Sequence, residues 1–233
     1  MLIRQITPEI AELIGIIIGD GHIGFYPSYK HFRLTISLNS ETDLFYLKKR
    51  VLLLIRKVFK ANPEIYFQPG EKNVKCRFYS KEVILWLISL GLPFKNKAKK
   101  VGIPDTIKRS KKLIIPCIRG IFDTDGSLFK KYGKYAQVEF RSYSRKLQED
   151  LSTALKDLGF SPSISKKHNH IFLHRQGDVI KFFCVVGSSN PKHIVKFNHW
   201  IEFGFVPSTS KIIKDINEYK GKLPFFYKEH INF

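Results

Sequence analysis

One nonapeptide occurs twice, and it limits how the chain can fold more than any other feature. Leu13-Ile-Gly-Ile-Ile-Ile-Gly-Asp20-Gly21 and Ile118-Arg-Gly-Ile-Phe-Asp-Thr-Asp125-Gly126 align without a gap. They share Gly15/Gly120, Ile16/Ile121, Asp20/Asp125 and Gly21/Gly126, with the two acids 105 positions apart. The pattern downstream of each copy repeats too. Residues 22–25 and 32–39 read as strands, and 32–39 alternates strictly: Phe32, Leu34, Ile36 and Leu38 take one face, Arg33, Thr35, Ser37 and Asn39 the other. Residues 42–59 have helical apolar spacing, 63–67 and 74–78 read as two strands around Pro69-Gly70, and 83–90 as a helix stopped by Gly91 and Pro93. In the second half, strands are predicted at 127–129 and 136–143, a helix at 145–158, strands at 163–166 and 170–174, and a helix at 178–186. Residues 102–110 read as the linker. The tail after Gly187 carries Phe197, Trp200, Phe203 and Phe205, expected to pack back on the body.

The repeated segment itself reads as a helix at 12–19 and again at 116–124, with Pro116 near a helix start. Gly15 and Gly19 fall on one face, as do Gly120 and Thr124, so two helix backbones can approach closely there. Each helix ends in Asp-Gly, where glycine is free to take a positive φ and turn the chain. Side-by-side packing brings Asp20 and Asp125 together. Two carboxylates at the negative ends of two helices repel each other. A hard divalent cation such as Mg²⁺ relieves that repulsion and, beside a phosphodiester, promotes hydrolysis.

The charge balance says where such chemistry would act. Forty Lys and Arg against 20 Asp and Glu give a formal charge of +20. That is more than solubility requires and points to a polyanionic partner. With 43% hydrophobic and 14% aromatic residues the chain is no disordered basic tail. Cys76, Cys117 and Cys184 are scattered in apolar surroundings, which excludes a disulfide framework or cysteine zinc site and suits a reducing interior. No signal-peptide h-region opens the chain, and the longest apolar run, near 13–19, falls far short of the ~20 residues that span a bilayer. The expectation is a soluble intracellular protein, in a prokaryotic cytoplasm or an organelle, with no membrane partner.

With both motif copies in view, the chain resembles the LAGLIDADG homing endonuclease family in its single-chain, two-motif form, over essentially its whole length. Gly91-Leu-Pro-Phe-Lys-Asn-Lys97, Gly102-Ile-Pro104 and Gly187-Ser-Ser-Asn-Pro-Lys192-His look familial as well. The resemblance implies an α+β fold: two pseudo-symmetric αββαββα repeats, residues 1–106 and 107–233, each with a four-stranded antiparallel sheet. Together they form a DNA-binding saddle, as a monomer. It also implies metal-dependent cleavage of both strands across the minor groove, leaving short 3′ overhangs. By the same resemblance Asp20 and Asp125 bind the catalytic metal (Mg²⁺, with Mn²⁺ or Ca²⁺ able to substitute in binding). The backbone carbonyls of Gly19 and Thr124 add ligands, and Lys97 and Lys192 stand near the scissile phosphates. The sequence departs from the motif at Ile18, which replaces its first acid; Asp123 keeps that acid and is expected to be structural. Arg119 replaces a small motif residue and must point away from the helix seam or alter it.

Strand alternation then assigns a DNA-reading face. In the first half Arg33, Thr35, Ser37, Asn39, Glu64, Tyr66, Gln68, Lys75 and Arg77 are expected to meet the major groove, and in the second Gln137, Glu139 and Arg141. Tyr26 and Lys30, and Lys130 and Lys134, extend the reach from two hairpins. Lys166, His168, His170 and His174 are further candidate contacts, and the histidines lack the partners a metal site needs. The target is expected to be long and non-palindromic, because the two halves differ. Met1 and Phe233, without the Cys/Ser start or His-Asn end of a self-splicing domain, suggest a free-standing, intron-encoded chain. Three other readings stay open: an RNA maturase that binds its intron, a non-catalytic DNA-binding regulator of the same fold, and a basic structural nucleic-acid protein.

Overall fold

A computed structural model describes residues 5–26, 31–94, 97–165 and 169–228. The first half begins with α1 (Pro8–Asp20), β1 (Gly21–Tyr26) and β2 (His31–Asn39). The next helix passes through a π-turn at Leu47–Val51, between α2 (Leu44–Tyr46) and α3 (Leu52–Phe59). Then come β3 (Glu64–Phe67), β4 (Asn73–Tyr79) and α4 (Lys81–Ser89), and two short helices, α5 (Lys97–Lys100) and α6 (Asp105–Lys108). The second half repeats the order with α7 (Lys111–Asp125), β5 (Gly126–Tyr132), β6 (Tyr135–Arg141), α8 (Arg145–Asp157), β7 (Ser163–Ser165), β8 (His170–Leu173) and α9 (Gln176–Val185). The tail adds α10 (Pro191–Phe203) and α11 (Ile213–Asn217). Among the described residues there are two four-stranded antiparallel sheets, ordered β1-β2-β4-β3 and β5-β6-β8-β7.

Alternation decides which sheet face is covered. Leu34, Ile36 and Leu38 of β2 and Val74, Cys76 and Phe78 of β4 are buried and belong to the hydrophobic core. In the second sheet Val138 and Phe140 pair with Leu173 and Ile171 on the equivalent face. Phe122, Phe140 and Phe182 meet there edge-on, with ring centroids 4.8–5.9 Å apart.

The two motif helices form the seam between the halves, and glycine makes it possible. A Cβ on Gly15 would lie 2.1 Å from the Cys117 carbonyl oxygen, and one on Gly120 would lie 2.2 Å from that of Glu12. Arg119, next to Gly120, leaves the seam intact. It reaches along the flank to Glu12 (2.8 Å) and to the Val186 carbonyl (3.1 Å). Glu12, fully buried, also accepts from Arg50 Nε (2.7 Å) and from the Ser189 hydroxyl (2.9 Å). Its two arginines and hydrogen bonds hold its carboxyl below the usual range against the opposing effect of burial. Glu12→Gln would strand two partly buried guanidiniums. The expected cost is about 2–3 kcal/mol, toward the low end for a buried pair because Arg50 keeps solvent contact. Urea unfolding of the variant measures it, and an unchanged midpoint would refute it.

Four expectations need correction. Pro116 does not start a helix: α7 begins five residues earlier, because Leu113 and Ile114 already face the core, so the proline lies inside it. The lost bond falls on the Lys112 carbonyl, in the exposed first turn, where water can serve it. Gly21 and Gly126 do not use a positive φ; their values are −81° and −93°. They are glycines for space, since a Cβ on Gly21 would lie 2.6 Å from Ile17 Cα and one on Gly126 2.3 Å from the Phe122 ring. Residues 102–110 are not a loose linker. Ile103 and Ile107 are buried, and the Ile103 amide donates to Asp150 (2.8 Å). In the tail Phe197 and Trp200 are buried as expected, Phe197 stacking on Phe183 at 4.0 Å. Phe203 and Phe205 remain exposed, on either side of His199, because α10 ends at left-handed Gly204 and carries them past the body.

Candidate metal centre and nucleic-acid interface

Asp20 and Asp125 are the last residues of α1 and α7, and the seam delivers them to one place. A Cβ on Gly19 would lie 2.0 Å from Thr124 Oγ1 and 3.5 Å from Asp125 Cγ. The Thr124 hydroxyl is turned back onto the Gly120 carbonyl at 2.9 Å. Burial pushes the Asp20 carboxyl up to about 7, helped by the negative charges of Asp125 and Asp43 and opposed by Lys97 and Lys192. Asp125 is raised as well, by burial, with Lys97 opposing. Burial lowers Lys97, whose two acidic neighbours pull the other way. Its ammonium donates to the carbonyls of Ile17 (3.2 Å) and Gly19. A cation therefore already stands among the oxygens at the end of α1. The donors are all oxygen, which suits a hard cation such as Mg²⁺. Among the described residues no cluster of three or more His, Cys, Asp or Glu offers a metal site. Two carboxylates and main-chain oxygens are what this centre has.

The two lysines cross over. Lys97, from the first half, borders a cleft of about 270 Å³ with Asp125, Arg141, Ser142 and His170 of the second. Lys192, from the second half, donates to Asp43 of the first at 3.0 Å. Asn190 ties this corner together, donating to Asp43 (2.8 Å) and to the Asp123 carbonyl (3.0 Å). Sequence reasoning placed each lysine only after its own repeat, and it missed Asp43 and Asn190. Asp43 carried a signal, since an Asp just before a helical run reads as an N-cap. Here it stands at that position without a side-chain capping bond, which leaves its carboxylate for Lys192. Asp123 is structural, as expected: fully buried, it accepts from the Ser188 hydroxyl (2.6 Å) and the Ser189 amide (2.9 Å), and burial pushes it up to about 7.

The strand registers line up the face away from the core. In the first sheet His22, Thr35, Arg77 and Glu64 form one cross-strand row, and Ser37, Lys75 and Tyr66 the next, with Asn39 opposite Asn73. Arg33 lies over Tyr26 (3.8 Å) and Arg77 over Tyr66 (4.1 Å), which holds both guanidiniums on the sheet. Lys75 donates to Gln68. Thr35 is buried on this face, and the row adds His22, a residue of the same face that sequence reasoning passed over. The second face is more apolar. Phe129 stands opposite Gln137, and Phe172 opposite Glu139. Gln137 and Glu139 are 7% and 4% exposed, and Glu139 holds Arg141 (2.7 Å) and His170 (3.2 Å). Glu139 therefore supports its neighbours rather than standing forward, and Gln137 is buried beside Phe129. Lys130 pairs with core residue Ala136 and so points off the groove face. The Lys134 carbonyl is bound by Trp200 Nε1 at 2.9 Å, and His174 lies against Phe172. Lys30, Lys166 and His168 fall outside the described residues.

Residues 112–179 match the family model of the LAGLIDADG-like domain. That stretch starts six residues before the second motif copy, and the first copy packs against it as its partner. Over that stretch the chain carries a LAGLIDADG-like domain. Among solved structures, the LAGLIDADG fold here is similar to that of I-DmoI in complex with DNA and Mn, with a TM-score of 0.55 and 20% identity, over 77% of this chain and 96% of that one. It is also similar to the N-terminal LAGLIDADG domain of DUF199/WhiA, with a TM-score of 0.54 and 18% identity, over 77% and 82% of the two chains. By sequence, it is 29% identical over 196 residues to the replication factor C small subunit of Methanocaldococcus jannaschii, covering 81% of this chain. It is 32% identical over 124 residues to the glutamine–fructose-6-phosphate aminotransferase of the same organism, covering 52% of this chain. In both cases the match covers 10% of the relative's length. No helix among the described residues is long and apolar enough to cross a membrane.

Proposed function

We propose that this LAGLIDADG protein is a site-specific, divalent-metal-dependent endonuclease. It hydrolyses both strands of double-stranded DNA across the minor groove and leaves short 3′ overhangs. One observation carries the reading: Asp20 and Asp125 stand together, half-buried, at two helix C-termini, where loss of solvent raises both carboxyls and the charge of Asp125 raises Asp20 further. A protein that only bound DNA would gain stability by losing either. The polar rows of the first sheet, the net charge and the solved DNA complex of I-DmoI support duplex DNA as the substrate.

The residues present fit Mg²⁺. Asp20 and Asp125 would hold it, with the carbonyls of Gly19 and Thr124 as further oxygens. When bound, the metal neutralises charge at the scissile phosphate and acidifies a water. The chain does the rest by position. The glycine seam fixes both carboxylates before DNA arrives, so no side-chain ordering is left to the reaction step. Lys97 and Lys192 place one ammonium on each side of the acid pair to offset charge growing on the phosphate. The water oxygen bonds to phosphorus and the P–O3′ bond breaks. The 3′ oxygen takes a proton, which leaves a 3′ hydroxyl and a 5′ phosphate. Arg33, Arg77, Ser37 and Asn39 read base edges and phosphates in the adjoining groove. The two halves present different faces, so the site is long and non-palindromic. Two relatives with unrelated names carry the matching segment in about a tenth of their length. That supports a module that moves between genes, and an intron-borne gene is one such carrier.

The test is a long randomised duplex library incubated with the protein, with and without Mg²⁺, and sequencing of the new ends. Ends that require Mg²⁺, cluster on one asymmetric sequence and disappear with Asp20→Asn and Asp125→Asn are the expected result. Tight binding without cutting, unchanged in both variants, would replace this reading with a DNA-binding regulator, or with a maturase if structured RNA competes.

A further inference from the structure

The second helix of each half begins with a polar residue that reaches across to the lysine segment of the other half. In the first half it is Asp43, before α2, whose carboxylate takes Lys192 at 3.0 Å and Asn190 at 2.8 Å. In the second it is Ser144, before α8, whose hydroxyl donates to the Val101 carbonyl at 2.5 Å, four residues beyond Lys97. The pseudo-symmetry therefore breaks in charge at one position. Lys192 is 18% exposed and paired with a carboxylate that is itself 7% exposed. Lys97 is bound by main-chain carbonyls, and Ser144 brings it no charge.

We propose that Asp43 is a positioning residue that makes the two cleavage centres unequal. By holding and neutralising Lys192, it slows cutting of the strand that Lys192 serves, so the strand beside Lys97 is cut first and nicked duplex accumulates. The proposal rests on the endonuclease reading above. The charge argument is direct. A phosphate entering beside Lys192 meets an ammonium already matched by a carboxylate, and one further negative charge beyond the two motif acids. A phosphate entering beside Lys97 meets an ammonium that, among the described residues, has no third acid acting on it. Both lysines still act on Asp20, so the difference lies in rate and not in whether a strand is cut. The expected bias is about tenfold.

The experiment uses the full chain and a duplex carrying the site selected from the library, each strand labelled with its own fluorophore. Both cleavage rates are measured after Mg²⁺ addition for the wild type, Asp43→Ser, Asp43→Asn and Ser144→Asp. The wild type should cut the Lys97-side strand about ten times faster and pass through a nicked intermediate. Asp43→Ser, which copies the residue at 144, should bring the two rates within about twofold. Ser144→Asp should slow the Lys97-side strand. A second readout is independent of cutting: labelling with an amine-reactive reagent, read by peptide mass spectrometry, should rise at Lys192 in Asp43→Ser and stay unchanged at Lys97. If Asp43→Ser does not fold, Asp43→Asn and Ser144→Asp carry the same test. Equal strand rates in the wild type, or a bias untouched by removing the Asp43 carboxylate, would overturn the inference and leave the endonuclease reading standing. A wild-type chain that cuts no DNA overturns both.

Discussion

Replacing Asp20 with Asn is expected to abolish cutting and, in the absence of metal, to make the protein more stable. Loss of the carboxylate should lower the cleavage rate about a thousandfold or more, the scale for removing a group that acts at the reacting phosphate. The stability change has the opposite sign because the folded state disfavours the Asp20 anion. Its carboxyl rises from 3.8 to about 7 on folding, chiefly through burial. A group raised in this way contributes its stability below the unfolded value, and that contribution is lost as pH rises through the folded one. At pH 8 without metal the wild type therefore carries the penalty of an ionised, half-buried Asp20, and the Asn variant does not. The expected gain is on the order of 3 kcal/mol, or about 6–12 °C in melting temperature for a chain of this size. Below about pH 4 the difference should vanish, because Asp20 is protonated in both states of the wild type. Mg²⁺ should then raise the wild-type melting temperature and leave Asp20→Asn nearly unmoved. Calorimetry in EDTA and in Mg²⁺, at pH 4 and pH 8, covers all four conditions. A variant less stable than the wild type at pH 8 without metal would show that the acid pair carries no penalty, and the argument for a cation there would fall with it.

Gly120→Ala is expected to destabilise the fold by about 4 kcal/mol. Its Cβ would sit 2.2 Å from the Glu12 carbonyl oxygen and 2.8 Å from the Ile16 amide nitrogen, both main-chain atoms of the facing helix. No side chain can swing away, so α1 and α7 must separate. That would also loosen the Glu12–Arg119 pair and spread Asp20 from Asp125. Gly15→Ala, at 2.1 Å from the Cys117 carbonyl, should behave alike. Gly19→Ala meets Thr124 instead, whose hydroxyl at 2.0 Å can rotate away but whose Cβ at 2.7 Å cannot, so its cost should be smaller, at about 2–3 kcal/mol. Urea midpoints for the three variants test the series. Equal, small losses at all three would mean that the seam is not backbone against backbone.

These effects trace back to features that differ in how far they can be seen in the chain. The repeat order, the alternating strand 32–39 and the small-residue pairs were legible because each depends on a local period: two residues for a strand, about four for one face of a helix. The acid pair was legible because Asp20 and Asp125 each end such a helix. The start of α7 was not. Pro116 is a local signal for a beginning, and burial of Leu113 and Ile114 on the upstream turn outweighed it. The Asp-Gly ends were read correctly as helix ends but for the wrong reason, because crowding by Ile17 and Phe122 cannot be seen from neighbouring residues alone.

What the sequence determined by itself is the set of elements, their duplication and the two carboxylates that must meet if the duplicated helices pack. Only the tertiary structure decided that the lysines cross over, that Glu12 anchors Arg50 and Arg119, and that Asp43, at a helix N-cap position, gives its carboxylate to Lys192 instead of to its own helix. It also decided that Gln137 and Glu139 are buried beside Phe129 and Phe172. The physical reason is the range of the interactions. Periodicity and capping act within one or two turns of chain, whereas Asp43 and Lys192 lie 149 residues apart in sequence and Glu12 and Ser189 lie 177 apart. An ion pair of that kind exists only once the glycine seam has closed, and its partners leave no local trace for a sequence pattern to record.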